Sequence, residues 1–220
     1  GLTQLDDVGS AGTNGQVLTT NGSGSFTFAT AGGGGASSLN GLTDCLVDTN
    51  SLYVGEAPSS LSGNPQGNTT LGIDTGAALT SGTENTLIGK NAGNGLTSGD
   101  KQVMIGFEAG ASMTTGDKGV FIGYQAGKST VTSFSIESVY IGNEAGSTMI
   151  GNGGTNVVIG GRALGASSSP NSCTGNVAIG WRAMGFSLGL GSSTNVCIGR
   201  TAGASLTTGS SNVYQHLEPQ

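Results

Sequence analysis

The sequence is poor in charge, in aromatic rings and in the residues that carry most enzymatic chemistry. Only 9% of its 220 residues are charged, and the seven basic residues stand singly. With a net charge of −6 and no basic patch to neutralise phosphates, nucleic acid is not an expected partner. His216 is the only histidine, so a His-based metal cluster or a Ser/His triad is not expected within one chain. The three cysteines (Cys45, Cys173, Cys197) are odd in number and widely spaced, which indicates neither a disulfide framework nor a zinc site. No apolar run approaches the roughly 18 residues of a membrane span, so no membrane insertion is expected. Gly1 in place of a methionine suggests a fragment or a processed product, so a missing signal peptide excludes little.

Recognisable chemistry is equally scarce. The Gly-rich stretch Gly93 to Gly99 lacks the lysine of a phosphate loop and opens no helix. No Asp-rich loop suggests calcium. Glu108 and Glu144 occupy equivalent places two repeats apart, about 10 Å by rung stacking, just beyond the spacing of inverting glycosidases. They read as solvated turn residues. The expectation is no catalytic residue, no metal, no cofactor and no enzyme.

What is abundant is glycine, 43 residues of it, together with Ser, Thr and Asn. Gly-rich chains without a strict G-X-Y period are often disordered. A repeat argues otherwise here. Val54-Gly55, Leu71-Gly72, Ile88-Gly89, Ile105-Gly106, Ile122-Gly123, Ile141-Gly142, Ile159-Gly160, Ile179-Gly180 and Ile198-Gly199 form one column. The glycines are spaced 17, 17, 17, 17, 19, 18, 20 and 19 residues apart. Such periods mark a solenoid in which each unit is one supersecondary element.

β-branched residues two apart, as in Val120 and Ile122 or Val177 and Ile179, read as a short strand facing a core. A second short segment follows around Ala92, Ala109, Ala126, Ala145, Ala163, Ala183 and Ala202. Two short strands and two turns per unit predict an all-β, parallel β-roll or β-helix, too narrow for an internal pocket. Asn68, Asn85, Asn156, Asn176, Asn195 and Asn212 recur at the strand entrance. Stacked turns would place their amides about 4.8 Å apart, within reach of a hydrogen-bonded ladder.

The residue between the two β-branched positions is apolar in eight of nine repeats: Tyr53, Leu87, Met104, Phe121, Tyr140, Val158, Ala178 and Cys197, with Thr70 the exception. If Val and Ile face the core, this column faces outward and needs a cover. The cover is either the chain's own second strand or another chain. Ordering 17 Gly-rich residues costs roughly 1–2 kcal/mol each, against roughly 1.5–3 kcal/mol for each large side chain buried. That balance favours another chain. The expectation is a parallel homotrimer packed through Leu87, Met104, Phe121, Tyr140 and Val158.

The pattern N-V-x-I-G-x-x-A-G-x-x-L-T-T-G, as in Asn195 to Gly209, resembles repeats of bacteriophage tail-fibre proteins. It is also similar to the shorter N-S-V-A-I-G repeats of trimeric autotransporter adhesin heads. The resemblance spans residues 51 to 214 and implies a trimeric, left-handed parallel β-roll on a virion or cell surface. The period here is longer than in the adhesin heads. "LTQLDDV" (Leu2 to Val8), "LNGLTDC" (Leu39 to Cys45) and "GTNGQVLTTNGSGSFTF" (Gly12 to Phe28) resemble fibre shaft modules. The expected organisation is a β connector at 1–30, a Gly-rich linker at 31–38, a lead-in at 39–50, about nine repeats at 51–214 and a non-repeat tail at 215–220.

The functional expectation is a structural segment of a virion tail fibre, with a host-receptor surface as a further expectation for it. Its N-terminal region would join other tail or baseplate proteins. The alternative is an adhesin head on a bacterial cell surface. The two residues after each repeat glycine vary most and belong on an outward corner. There Phe107, Tyr124, Trp181 and Arg182 are the candidates for contact with a host-surface glycan or protein. Trp181 could equally cover a neighbouring chain or loop.

Overall fold

The computed structural model describes residues 16–20, 26–30, 45–48, 50–55, 58, 61–130, 137–149, 154–165, 173–185 and 192–216. The chain divides into two units, Gly1–Leu42 and Thr43–Gln220. In the first, β1 (Gln16–Thr20) and β2 (Phe26–Thr30) form an antiparallel hairpin, with Gln16 opposite Thr30. The linker expected at 31–38 lies outside the described residues.

The second unit is one eleven-stranded sheet wound as a solenoid. Its strands are β3 (Cys45–Asp48), β4 (Ser51–Gly55), β5 (Thr69–Gly72), β6 (Thr86–Ile88), β7 (Val103–Ile105) and β8 (Val120–Ile122). They continue with β9 (Val139–Ile141), β10 (Val157–Ile159), β11 (Val177–Ile179), β12 (Val196–Ile198) and β13 (Val213–Gln215). β3 pairs antiparallel with β4 and so begins the stack within the expected lead-in. From β4 onward every pairing is parallel and joins neighbours in sequence. Equivalent residues stack on one another: Val103 on Val120, Met104 on Phe121, Ile105 on Ile122. The all-β parallel solenoid is as the repeat predicts. Gln215 and His216, assigned from sequence to a tail, still belong to the ladder, for His216 N–H donates to the Ile198 carbonyl.

Two expectations about the coil need correction. Among the described residues each coil holds one strand, not two. The Ala-centred segment is a run of left-handed turns, in which Gly93 N–H donates to Ala109 O and Gly110 N–H to Ala126 O, both at 2.9 Å. The faces are also reversed. The column between Val and Ile points into the coil: Leu87, Met104, Phe121, Tyr140 and Val158 are all fully buried within a single chain. They pack with Ala92, Ala109, Ala126, Ala145, Leu96 and Met113 in one core, so the cover is the chain's own second segment. A three-residue strand with its centre inward must send both neighbours outward. Val and Ile accordingly lie half-buried or exposed, as at Ile159 (37%) and Ile198 (43%). Burial of the inner column therefore gives no reason for a second chain.

The asparagine ladder is present. Asn85 donates its backbone N–H and its Nδ2 to Asn68 Oδ1, both at 3.0 Å. Asn176 does the same to Asn156, Asn195 to Asn176, and Asn212 to Asn195. The amides of Asn68, Asn85, Asn156, Asn176 and Asn195 also reach a carbonyl in the turn of the next coil, as Asn85 does to Gly99 O at 2.9 Å. The run changes character at Gln102, whose longer side chain accepts from Gly119 N–H at 2.9 Å. Gly119 has no room for an amide, since a Cβ there would lie 2.9 Å from Phe121 Cζ.

Candidate functional site

After each rung glycine the chain turns a corner by placing the second residue in the left-handed region. Glu108, Gln125, Glu144, Arg162 and Arg182 have φ between 53° and 55° there, with Asn91 at 59° and Thr201 at 57°. The preceding residue forms its own column: Lys90, Phe107, Tyr124, Asn143, Gly161, Trp181 and Arg200. Because the coils are in register, side chains of one column meet their equivalents from the next coil.

The four expected contact residues fall into two groups along this corner. Phe107 and Tyr124 stack nearly parallel, ring centroids 5.5 Å apart and planes at 10°. Both are exposed, at 38% and 46%. Trp181 lies three coils beyond Tyr124, about 14 Å along the stack, with Asn143 and Gly161 between. Its indole carries the Arg182 guanidinium at 4.6 Å from the ring centre and the Arg200 guanidinium at 4.9 Å. Arg200 was not among the sequence candidates. Its signal was there, since it occupies the Trp181 column one coil later.

Between the two groups runs an open groove of about 380 Å³, lined among others by Gln125, Glu144, Ser147, Thr148, Arg162 and Arg182. The carboxylates in it and beside it, Glu144 and Glu108, are held by cations. Lys128 Nζ lies 2.6 Å from Glu108 Oε2, and Gln125 donates to the same oxygen at 2.7 Å. The Lys128 hydrogen bond is the main reason the Glu108 carboxyl sits below its ordinary range, against a smaller opposing effect of burial. A general acid needs the opposite shift. Glu144 takes the Arg162 Nε at 2.5 Å. Arg182 and Arg200, beside Trp181, lie outside these two pairs.

No family model, curated protein or solved structure matches this chain. The function is therefore argued from the repeat, the exposed faces of the coil and this corner. Part of the corner backbone is engaged between coils: Arg182 N–H donates to Gly161 O at 3.0 Å and Thr201 N–H to Trp181 O at 2.8 Å.

Proposed function

We propose that residues 43–220 are a segment of a trimeric tail fibre on a virion, and that the corner after each rung glycine carries its host-receptor contacts. The observation that carries this reading is the outward Val/Ile column. From β4 to β13 it runs over ten rungs, about 43 Å at the usual strand spacing, with two apolar side chains on most rungs. Exposed apolar faces of that length are uncommon on solitary soluble chains and mark association surfaces. Identical parallel chains can bring three such stripes together on a threefold axis, where each stripe meets two neighbours. The resemblance of the repeat to tail-fibre and adhesin sequences favours three chains over two. The N-terminal hairpin unit is then the part that joins other tail or baseplate proteins.

Light scattering after size exclusion tests the reading. The chain is 21.4 kDa, so a trimer has three times that mass. Replacing Ile105 and Ile141 together by lysine places two charges per chain in the stripe and is expected to give monomers with an unchanged β spectrum, because neither side chain enters the core. A wild-type chain that runs as a monomer at micromolar concentration overturns the fibre reading. A double variant that stays trimeric overturns the stripe as the contact.

A further inference from the structure

The solenoid is finished at one end and open at the other. At the start, β3 turns back antiparallel along β4, and Tyr53 is only 1% exposed although no parallel coil precedes it. Leu46 and Leu61 pack against the core there. At the other end several columns lose their cover together. The inner column is sealed from Tyr53 to Cys197 but half-buried at Tyr214. Leu79, Leu96 and Met113 are fully buried, whereas their equivalent Leu206 is half-buried. An open hollow of about 540 Å³ lies beside them, lined among others by Gly203, Leu206, Thr207, Thr208 and Tyr214.

The hydrogen bonds break off in the same register. Asn195 Oδ1 accepts from Asn212 N–H at 3.0 Å and Asn212 Nδ2 at 3.1 Å, and Asn195 Nδ2 donates to Gly209 O at 2.9 Å. Among the described residues, Asn212 Oδ1 has no such donor and Asn212 Nδ2 no such carbonyl. Val196 N–H donates to Asn212 O at 2.8 Å, while the matching N–H of Val213 has no such acceptor among the described residues. An unpaired strand edge beside an apolar hollow can take an added strand, with main-chain bonds giving affinity and the hollow giving selectivity. What is missing is one coil's worth of groups: an asparagine over Asn212, an apolar residue two positions on over Tyr214, and a second over Leu206.

A second copy of this chain does not offer that set, since the free edge at its opposite end is β3, Cys45–Asp48, which runs antiparallel and carries no asparagine. Within this sequence the four residues after His216 fall short of a 17-residue coil. We propose that the open end, formed by β13 with Asn212, Leu206 and Tyr214, takes up one coil of this same repeat type from a different polypeptide, added parallel to β13. The incoming coil is to the solenoid what a capping repeat is to other repeat proteins.

Hydrogen exchange of the intact chain, read by mass spectrometry, tests this with a synthetic peptide of the Asn85 to Lys101 sequence as the probe. In their own coil the apolar residues of that segment, Leu87, Ala92 and Leu96, are fully buried. A peptide that orders only on binding binds weakly, so the titration runs to millimolar concentration. Exchange over residues 206–216 is expected to slow at least about tenfold at saturation, with β3 and β4 unchanged. The same peptide with Leu87→Lys is expected to have no effect, and with Asn85→Ala to bind about tenfold more weakly. In the protein, Val213→Pro removes the N–H that has no acceptor and blocks the edge. It is expected to weaken binding of the unaltered peptide at least about tenfold, with the wild-type circular dichroism spectrum retained. Should that variant fail to fold, the two peptide variants decide alone. No response to millimolar peptide, or an equal response to the Leu87→Lys peptide or in folded Val213→Pro, overturns the proposal. So does exchange at 206–216 as slow as at β12 in the free chain. Open-ended growth of the chain in light scattering that Val213→Pro abolishes also overturns it, by making a second copy the occupant. A monomer that takes up the peptide sinks the fibre reading and leaves this one standing; a trimer that ignores it does the reverse.

Discussion

Up to Gly123 the repeat advances 17 residues per coil; from Gly123 to Gly199 it advances 18 to 20. Both regions keep a short parallel strand and the left-handed corner, while the asparagine ladder holds at Asn68–Asn85 and from Asn156 to Asn212. They fill the coil differently. In the first, the inner strand residue is large (Leu87, Met104, Phe121), and the left-handed position after the second-segment alanine is Gly93, Gly110 or Gly127. A Cβ at Gly93 would lie only 3.0 Å from Met104 Sδ. In the coils of β10 and β11 the inner residue shrinks to Val158 and Ala178. The left-handed glycine becomes Leu164 (φ 49°) and Met184 (φ 51°), both fully buried. The first region also draws core from Leu79, Leu96 and Met113, three residues after that glycine. In the later coils the equivalent residues are Ser167 and Ser187. By sequence, these two coils lack the apolar residue at that spacing. The coil restores the lost volume from a position where a side chain is strained, by roughly 1–3 kcal/mol. Among the described residues, a smaller inner residue goes with a larger side chain at the left-handed position.

The sharpest way to break this comparison is at the rung glycines, which both regions share. Gly106 has φ +133°, and a Cβ there would lie 2.7 Å from the Gly123 carbonyl carbon, a backbone atom that cannot step aside. Gly106→Ala is expected to cost on the order of 3 kcal/mol or more, or to prevent folding. Gly161→Ala, with ordinary φ and 3.5 Å of room to Trp181 Cδ1, should change urea stability by less than about 0.5 kcal/mol. Equal losses would show that glycine content, not close stacking, sets the repeat. Next in size, Leu164→Ala is expected to cost about 3 kcal/mol by leaving a cavity, and Val158→Leu in the same chain should recover part of it. An unchanged denaturation midpoint in Leu164→Ala would refute the exchange of core volume between columns.

Much of this architecture could be read from residues. The glycine spacing gave the rungs, and β-branched residues two apart gave the strands. Asparagine before six of the strands gave a ladder that the hydrogen bonds bear out. The facing of the strand could not be read in the same way. Alternation over three residues is satisfied by either face, and only closure of the coil by Ala92, Ala109 and Ala126 decides that Leu87 and Met104 go inward. The second segment looked like a strand because its Ala-Gly pairs repeat. Their left-handed φ values, 56° at Gly93 and 59° at Gly110, exclude that conformation. At the corner, Trp181 beside Arg182 was visible as neighbours in sequence. The share of Arg200 appears only when the columns are stacked.

The smallest expected effect compares Phe121 with Tyr140, stacked neighbours in the inner column that differ by one hydroxyl. Their rings meet edge to face, centroids 5.3 Å apart at 87°. The Tyr140 hydroxyl makes no hydrogen bond of normal geometry. Burial pushes its phenol from 10.0 up to about 12, eased only slightly by Asn156 and Ser138 nearby. Removing an unsatisfied buried hydroxyl is favourable, so Tyr140→Phe should gain about 1 kcal/mol at neutral pH. The alkaline limb fixes the sign independently. A folded pKa above the unfolded one means the wild-type contribution is intact below pH 10 and is lost as pH rises toward about 12. The unfolded chain releases its proton first in that window. The gap between variant and wild type should therefore widen there by on the order of 2–3 kcal/mol and stay constant below it. Urea midpoints measured at pH 7, 10 and 11.5 decide the matter. A gap that narrows with alkali would mean that the hydroxyl is solvated and the inner column open to water.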